Sequence, residues 1–484
     1  MPQANKQIET EETSDGSARD SRLSRRIGRS RRAFLATAGA ASAGLAGCLG
    51  TDDPTDETGD DTTNGEASED TVELEFWHQE GVPHRVDSFE QLVEQFNQEH
   101  DDIQVNQEPQ NWDDVFGALT SALDAGTEPD FMFSLPAFTM TFQARGDLVD
   151  VTELLERLDD QHSFFDPVVN PFQYDGGTWG IPMWDMVFLN HHREDRFSQA
   201  GAYPPSNWDE WLDVATEVTD ADAGEYAICL PGERNLWTTE NLYTLMINNE
   251  AYVYGPDGNI MFDTQETVET LDFYKQMFEA ASPPDATNWG WAEWERSLLQ
   301  EDAFSTIGFS SWKRGLEDTD HSEQWTATEQ PYPDDGQRGS VHYVNNIMVF
   351  NEEKLDAIST FIEWLHEPET YGEWLARTEP TLYLPVTESG ENADSFWEHE
   401  LVSKHEESVR TQFEAIPHAT VYGFRDIHVE NDLYLPSVGE LEGSHVLAEV
   451  VQELLVNDRT PEDAAAWGQD RIEEVLEVGR SDHL

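Results

Sequence analysis

Alternating apolar and polar positions begin at Val72 and are followed by helical spacing. Val72, Leu74 and Phe76 are separated by glutamates, which predicts a β-strand with one buried face. The next apolar residues recur at the spacing of one helix face: Phe89, Leu92, Val93 and Phe96. The folded part of the chain is therefore predicted to start with a strand and a helix.

The same alternation continues toward residue 133. Ile103 and Val105 indicate a second strand, and the run from Phe131 to Phe133 indicates a third. Between these strands a helix is predicted by apolar residues at helical spacing: Val115, Leu119, Ala122 and Leu123. Strands that alternate with helices are typical of an α/β fold with a mainly parallel sheet.

Helical patterns dominate the rest of the chain. Asn207 and Glu210 form a predicted capping box at the start of one helix. Another helix is predicted by the apolar face that runs from Val268 to Phe278. Two final helices are predicted at His445 to Val456 and Pro461 to Val478.

Residues 1–47 carry the pattern of an export signal. Arg31 and Arg32 precede Phe34 and a run of small apolar residues that ends at Gly47. A charged segment before a short apolar run is typical of secretory signals, and the run is too short to span a membrane. The paired arginines resemble a twin-arginine export signal.

Residues 48–70 are expected to form a lipid-anchored, disordered tether. The segment Leu45-Ala46-Gly47-Cys48 resembles a lipobox, in which cleavage leaves a cysteine that carries lipid. Residues 51–70 contain nine acidic side chains and no basic one, so they have too little apolar content to fold and their charges keep them extended. The only other cysteine, Cys229, is expected to be a small buried residue.

The overall charge of the chain is strongly negative. There are 99 acidic and 27 basic residues, which give a formal net charge of -72. Such a chain offers no basic surface to a phosphate backbone, which argues against nucleic acid as a partner. The acidic residues are spread throughout, which is typical of the solvated surface of a halophile's protein; the alternative is a polyanionic trap for cations.

Several short motifs, taken in order, resemble one known family. They are Tyr174 to Pro182, Met186 to His192, Pro204 to Glu210, Gly258 to Phe262 with Val268 to Phe278, Thr306 to Trp312, and Leu447 to Leu476. In this order and spacing they resemble family 1 of the extracellular solute-binding proteins of ABC importers, the group that includes maltose-binding protein. The resemblance covers nearly the whole chain beyond residue 70.

The resemblance implies a type II periplasmic-binding-protein-like fold. Two α/β lobes, each built from discontinuous segments, would be joined by crossing strands and would close over a ligand by a hinge movement. We expect one lobe to comprise residues 71–184 with about 303–342. The other lobe would comprise residues 185–302 with about 343–484.

Tryptophans outside the helical faces favour a carbohydrate as the ligand. The chain has 16 tryptophans, and flat rings stack on the apolar faces of sugars while a few polar groups bind the hydroxyls. The ring candidates are Trp77, Trp112, Trp184, Trp237, Trp289, Trp312 and Tyr343. The polar candidates are His78, Asp185 and Asn345. For any single one of these residues the alternative is core packing or an ordinary surface position.

An enzyme is a competing class that the sequence supports weakly. A carboxylate pair of the kind that glycosidases use is easy to find among 99 acidic residues and therefore proves nothing. The chain has neither a G-x-S-x-G nor an H-E-x-x-H motif. His191 and His192 fall in a predicted crossing strand, where adjacent side chains face opposite ways. We therefore predict no catalytic residues, no cofactor and no metal site.

The predicted function is capture of a solute, with a carbohydrate favoured, and its unaltered delivery to the membrane subunits of an ABC importer. The protein is expected to be a monomer on the outer face of the cell membrane, anchored through Cys48. A non-sugar solute such as a glycerol phosphate or a polyamine is the alternative within the same fold. A phosphate ligand would need arginines at the cleft, with Arg145, Arg193, Arg314 and Arg338 as candidates.

Overall fold

The structure is a computed structural model that describes residues 71–110, 115–200, 203–421, 435 and 437–482. The predicted export signal, the predicted lipid attachment site at Cys48 and the predicted acidic tether lie outside these residues, and so does Trp112. Within the described ranges no helix is both long and apolar enough to cross a membrane.

The strands, numbered in chain order, are Val72–His78 (β1), Ile103–Pro109 (β2), Phe131–Ser134 (β3), Gln173–Tyr174 (β4), Gly177–Thr178 (β5), Ile181–Val187 (β6), Leu189–Arg193 (β7), Ser305–Gly308 (β8), Trp325–Thr328 (β9), Ser340–Val349 (β10) and Ala419–Val421 (β11). The predicted strands at Val72, at Ile103 and at Phe131 are confirmed as β1, β2 and β3.

The α-helices are Pro83–Glu99 (α1), Val115–Ala125 (α2), Pro136–Arg145 (α3), Thr152–His162 (α4), Asp166–Val169 (α5), Glu194–Phe197 (α6), Trp208–Val218 (α7), Leu236–Asn248 (α8), Gln265–Ala281 (α9), Trp291–Leu299 (α10), Leu355–Leu365 (α11), Pro368–Thr378 (α12), Glu388–Glu391 (α13), Asp394–Trp397 (α14), Glu400–Lys404 (α15), Glu406–Ala415 (α16), Val438–Ser444 (α17), Val446–Leu455 (α18) and Pro461–Asp482 (α19). A 3₁₀ helix at Ser311–Asp318 follows β8.

Helix starts follow the local sequence. The side chain of Asn207 accepts a hydrogen bond from the backbone N–H of Glu210 at 3.0 Å and so caps α7 as predicted. The Glu210 carboxylate reaches back one residue further than expected, to the backbone N–H of Ser206 at 2.9 Å. Pro83 and Pro136 stand in the first turns of α1 and α3, where a missing N–H does no harm.

A six-stranded sheet forms the first half of the molecule. Its order is β11-β10-β3-β1-β2, and β6 also pairs with β10. β1 runs parallel to β2 and β3, whereas β10 runs antiparallel to β3 and β6. The sheet is therefore mixed, and the expectation of a mainly parallel sheet was wrong, because strands that arrive from distant parts of the chain run against the central ones.

A second sheet has three antiparallel strands in the order β8-β7-β9. The chain passes from one sheet to the other at Phe188, between β6 in the first sheet and β7 in the second. β10 is a further crossing strand: Val341 and Tyr343 pack in the core of the second half, and Val344 packs in the core of the first.

Two large hydrophobic cores divide the described chain, and their membership differs from the expected lobe boundaries. The core of the six-stranded sheet draws on residues between 74 and 189 and between 344 and 421, and on Ala327 of β9. The other core draws on residues 188–307 and 435–476, together with a few side chains of α3 and β10. Because β10 pairs with β3 and β6, the chain from Val344 to Val421 returns to the first half, and only the C-terminal helices rejoin the second.

Candidate functional site

The parallel strands β1, β2 and β3 end at one edge of the six-stranded sheet. His78 at the end of β1 lies opposite Pro109 of β2, and Trp77 lies opposite Met132 of β3. In open α/β sheets, ligands bind outside the carboxyl ends of the strands. The residues that follow His78 and Ser134 are thus the first place to look for a site.

A charged cluster stands at this edge, in the segment that links β1 to α1. Glu80 accepts a hydrogen bond from the Tyr383 hydroxyl at 2.7 Å and another from Nη1 of Arg85 at 3.1 Å. Nε of Arg85 donates to Glu379 at 2.8 Å, and its guanidinium carbon lies 5.4 Å from the centre of the Tyr383 ring. Glu379 and Tyr383 follow α12, so two distant parts of the chain build this cluster.

A side chain from the second half of the molecule completes the arrangement. Arg314, in the 3₁₀ helix after β8, donates from Nε to Oε1 of Glu379 at 3.3 Å. The Ser310 hydroxyl donates to the carbonyl oxygen of Thr381 at 2.6 Å. We call Glu80, Arg85, Arg314, Glu379 and Tyr383 the junction cluster, because it joins the two halves of the structure.

The electrostatics of the junction cluster keep its donors protonated. Burial works against the charge of Arg85, but Tyr383, Glu80 and Glu379 outweigh it and raise the pKa of the guanidinium. Burial, reinforced by Glu80, raises the pKa of Tyr383 well above its ordinary value. The Arg85 guanidinium and the Tyr383 hydroxyl are therefore donors at any physiological pH.

Backbone strain marks the same place. Thr381 is a β-branched residue with φ of +70°, a conformation that such residues rarely adopt. Its carbonyl oxygen is held by Ser310 and by Nε2 of Gln412 at 2.9 Å. Strained residues that persist because their surroundings fix them cluster at functional sites, so Thr381 supports the assignment of the junction as one.

Trp184 lies directly beneath the junction cluster. The ring stacks on Tyr383 with centroids 4.7 Å apart and meets Phe133 edge-on at 5.1 Å. Only 1% of Trp184 is exposed. The neighbouring Trp374 closes a further side at 5.8 Å. Trp184 thus supports Tyr383 from the core side and in this structure presents no open face.

The polar candidates on the paired strands β6 and β10 are also buried. Asp185 accepts a backbone hydrogen bond from Met186 at 2.9 Å, and its other oxygen lies 2.8 Å from Nδ1 of His342. Asn345 lies opposite Trp184 in the register of the two strands and is 3% exposed. Tyr343 contacts Phe309 edge-on at 5.5 Å. The structure therefore brings Trp184, Asp185 and Asn345 together, with their surfaces covered.

His78 and Trp77 both lie at the end of β1 but pack against different parts of the first half. His78 is fully buried, stacks on Phe89 at 4.5 Å and shares a hydrogen bond with Gln107 at 3.0 Å. Burial lowers its pKa to about 4, with Gln107 acting in the opposite direction, so the ring is neutral at pH 7. Trp77 is half-buried and packs against the small apolar cluster between α2 and α3.

Three tryptophan candidates of the second half lie in one cluster beside its sheet. Trp237 and Trp312 are buried together with Trp294 and Trp325, and Trp289 packs against them half-buried. Trp237 and Trp294 have ring centroids 5.1 Å apart. We call this group the tryptophan cluster.

One tryptophan of the same region keeps an accessible face. Trp291, at the first turn of α10, is 38% exposed and contacts Trp294 edge-on at 5.3 Å. Trp291 was not among the ring candidates selected from the sequence. Glu295, one turn further along α10, lies 3.5 Å from the hydroxyl of Ser311, next to the junction cluster. Trp291 therefore offers the open ring in this region that Trp184 and Trp237 do not.

The four arginines considered for a phosphate ligand are all engaged by carboxylates. Arg145 pairs with Asp147 and Asp124, Arg193 with Asp195 and Glu301, Arg338 with Glu329, and Arg314 with Glu379. A phosphate group would have to displace these partners. The arrangement is better suited to a neutral polar ligand that exchanges hydrogen bonds with both signs of charge.

A separate surface cavity of about 540 Å³ lies elsewhere on the first half. It is lined by Phe164, Phe165, Pro167, Arg410 and Phe413 among others, and it shares no residue with the junction cluster. Its lining comes from the first half alone, so closure of the two halves would not change it.

Comparison with known proteins identifies relatives of this chain. A sequence model described as bacterial extracellular solute-binding protein matches residues 83–371. YcjN of Escherichia coli strain K12, provisionally named an ABC transporter periplasmic-binding protein, is 21% identical over 437 residues, which are 85% of this chain and 94% of YcjN. The arabinooligosaccharide-binding protein of Halalkalibacterium halodurans is 25% identical over 215 residues, which are 43% of this chain and 46% of that protein.

Two solved structures share the fold. The cyclic alpha-maltosyl-1,6-maltose binding protein from Arthrobacter globiformis superposes with a TM-score of 0.68 at 20% identity, covering 84% of this chain and 99% of that one. Maltose-bound MalE3 of T. maritima gives a TM-score of 0.69 at 16% identity, covering 84% and 100% of the two chains. The expected two-lobe, periplasmic-binding-protein-like α/β fold is thereby confirmed, with the first and second halves described above as its lobes.

Proposed function

Because the chain belongs to the bacterial extracellular solute-binding protein family, we propose that it captures a carbohydrate between its lobes and presents it to the membrane subunits of an ABC importer. The family's relatives are non-enzymatic components of transport systems. In our proposal the solute is accordingly bound and released without chemical change.

The observation that carries this proposal is the junction cluster. Its two carboxylates and Arg85 come from the first lobe, and Arg314 of the second lobe meets Glu379 across the boundary between them. A sugar hydroxyl both donates and accepts, so it can take a hydrogen bond from an arginine and give one to a glutamate in the same place. A phosphate would bind only the arginines of the cluster, and an amine would bind only its carboxylates.

Names of relatives supply further support for a carbohydrate. One relative is named for arabinooligosaccharide, and one of the matching structures is bound to maltose. The exposed face of Trp291 supplies the flat apolar surface that a sugar ring stacks on. In contrast, a polyamine would need unpaired carboxylates, and Glu80 and Glu379 already have basic partners.

We propose that the sugar stabilises the closed arrangement of the lobes. A ligand can shift an equilibrium between open and closed forms only by its greater affinity for one of them. A sugar held between Glu379 of the first lobe and Arg314 of the second would gain its extra contacts only on closure. The importer would then recognise the closed form.

The binding test uses Arg314→Met with Arg157→Met as the matched control. Arg314 is 39% exposed and Arg157 is 50% exposed, and each pairs with one glutamate, so both variants should fold. Thermal-shift screening of mono- and oligosaccharides in molar salt should reveal one stabilising sugar for the wild type. Arg314→Met should weaken the binding of that sugar by about 1–3 kcal/mol, because a charged hydrogen bond is lost. Arg157→Met should bind the sugar as tightly as the wild type does. Equal affinities for the two variants would remove Arg314 from the site.

We further propose that the protein is a monomeric lipoprotein on the outer face of the membrane of a halophilic archaeon. The twin arginines, the lipobox at Cys48 and the acidic tether support this localisation, and the family is extracellular. Cys48→Ala should release the exported protein into the medium, and mass spectrometry of its N-terminal peptide should lose the lipid mass. Membrane retention of Cys48→Ala would rule out the anchor.

A further inference from the structure

Three basic side chains are buried together where the two lobes meet. Lys313 lies in the 3₁₀ helix Ser311–Asp318, His191 on β7 and His405 between α15 and α16, and none of them is more than 5% exposed. Other lysines of this acidic chain have carboxylate partners, such as Lys275 with Asp458 and Lys354 with Asp130. We call Lys313, His191 and His405 the basic cluster.

The contacts of the basic cluster leave polar atoms without a protein acceptor. His191 meets the ring of Trp312, the residue before Lys313, edge-on with centroids 5.9 Å apart. Within the described part of the chain, Nζ of Lys313 and Nε2 of His405 are enclosed and have no hydrogen-bond partner. A buried donor that lost its hydrogen bond to water and gained no other is strongly unfavourable, and more so when it carries charge.

The charges in the basic cluster act on one another. Burial lowers the pKa of Lys313 to about 7, and no carboxylate opposes this effect. Burial and then Lys313 lower the pKa of His405 to about 3. The pKa of His191 is lowered well below its usual range by burial, with Lys313 acting in the same direction and the Gly308 backbone acting against it. The two imidazoles are thus neutral at pH 7, each with one N–H donor and one acceptor nitrogen, and a negative charge beside Lys313 would favour its ammonium form.

We propose that Lys313, His191 and His405 bind a small inorganic monoanion such as chloride between the lobes. An ammonium and imidazole N–H groups are donors that suit an anion and repel a metal cation. Water could accept the hydrogen bonds but would not neutralise the ammonium. Near-complete enclosure of all three side chains favours a compact ion over an organic carboxylate.

The anion would connect elements of both lobes. β7 and the 3₁₀ helix belong to the second lobe, whereas α16 packs in the core of the first. An anion that contacts Lys313 and His405 together is therefore bound more tightly when the lobes are in the arrangement seen here. The inference does not depend on which solute the protein transports, because it uses none of the residues of the junction cluster.

The first test compares melting temperatures in sodium chloride and in sodium gluconate at equal ionic strength. For the wild type, chloride at a hundred times its dissociation constant should raise the melting temperature by about 3 °C relative to the bulky anion. Lys313→Met keeps the length of the side chain and removes the charge, so this difference should vanish. Lys275→Met removes a lysine at the surface, and this variant should keep the difference in melting temperature between the two salts. A difference that is absent in the wild type, or unchanged in Lys313→Met, overturns the proposal.

The second test locates the ion directly. Crystals of the wild type grown in bromide should show an anomalous-scattering peak within hydrogen-bond distance of Nζ of Lys313 and Nε2 of His405. If Lys313→Met does not fold, His405→Leu serves in its place, and the bromide peak and the chloride-specific rise in melting temperature should both be lost. Bromide bound only at other positions in wild-type crystals would contradict the proposal.

Discussion

Indole rings near the junction cluster differ mainly in how much of each ring is accessible. Trp184 is covered by Tyr383, Phe133 and Trp374, whereas Trp291 leaves 38% of its surface open. A covered ring contributes to stability and an open ring is free to stack on a ligand. The two residues therefore have separable roles that mutation can distinguish.

Trp291→Ala should weaken sugar binding by about 1–2 kcal/mol and leave folding nearly unchanged, because the open face is what a sugar would cover. Calorimetric titration with the sugar found by screening measures the affinity. Trp397→Ala, which removes a half-buried indole that contacts Phe396 and Arg410 and no residue of the junction cluster, is the matched control and should bind normally. An affinity that is equal in wild type and Trp291→Ala would exclude Trp291 from the site.

Trp184→Ala should lower the free energy of unfolding by about 3–5 kcal/mol, since it leaves a cavity among well-packed aromatic rings. Chemical denaturation in molar salt measures this loss. Any fall in affinity should follow indirectly, from the lost support of Tyr383. A fully stable Trp184→Ala protein with impaired binding would instead mean that Trp184 touches the solute.

The junction cluster could be predicted only in part. Glu80 follows the first strand, where ligand sites in α/β folds are expected, so its position carried a usable signal. Glu379 is separated from Arg85 by 294 positions, and no local pattern links them. Among 99 acidic residues no single glutamate stands out. Trp184, Trp237 and Trp312 were selected as ligand-binding rings but are buried, for a related reason: the sequence shows that a tryptophan is present but not which neighbours cover it.

At the scale of elements, the connection between α11 and α12 contains a histidine that should report on acid stability. His366 is fully buried, with Nδ1 2.8 Å from the carbonyl oxygen of Ile362 and Nε2 3.2 Å from that of Pro182. Burial lowers its pKa to about 4, although both carbonyl groups act in the opposite direction. The ring is thus held neutral in the folded protein.

The wild type should lose stability through His366 as the pH falls from about 6.5 toward 4. In this window His366 is protonated in the unfolded chain and neutral in the folded chain. The contribution of neutral His366 to the free energy of unfolding is therefore complete above pH 6.5 and declines below it. His366→Gln should reduce the slope of unfolding free energy against pH by up to about 1.4 kcal/mol per pH unit. Denaturation curves at several pH values measure the slope. The exposed His418→Gln is the control, and identical slopes in wild type and His366→Gln would contradict the assignment.

Elements themselves were predicted well, and their arrangement less so. The strands at Val72 and Ile103 and the C-terminal helices follow from periods of two and 3.6 residues, which are local properties. The antiparallel direction of β10 and its pairing with β3 depend on contacts between residues more than 200 positions apart, such as Thr139 with Asn346. Periodicity carries no such information, and for this reason the sheet was expected to be mainly parallel and residues 343–421 were expected in the other lobe.

At the scale of the whole molecule, the net charge of -72 should make the fold depend on salt. Like charges spread over one surface repel one another, and salt reduces this repulsion by shortening the screening length to about 3 Å at 1 M. Dialysis from molar salt to water should therefore abolish the helical circular dichroism signal. A spectrum that is unchanged in water would show that the acidic surface is not a salt adaptation.

Calorimetric titration of the wild-type protein with the sugar selected by screening, followed by recovery of that sugar, tests the central claim most directly. The account predicts one binding site, a weaker affinity for both Arg314→Met and Trp291→Ala, and recovery of the sugar chemically unchanged. If no saccharide binds while a polyamine or a glycerol phosphate does, or if the recovered sugar has been cleaved, then capture of a carbohydrate between the lobes is not what this protein does.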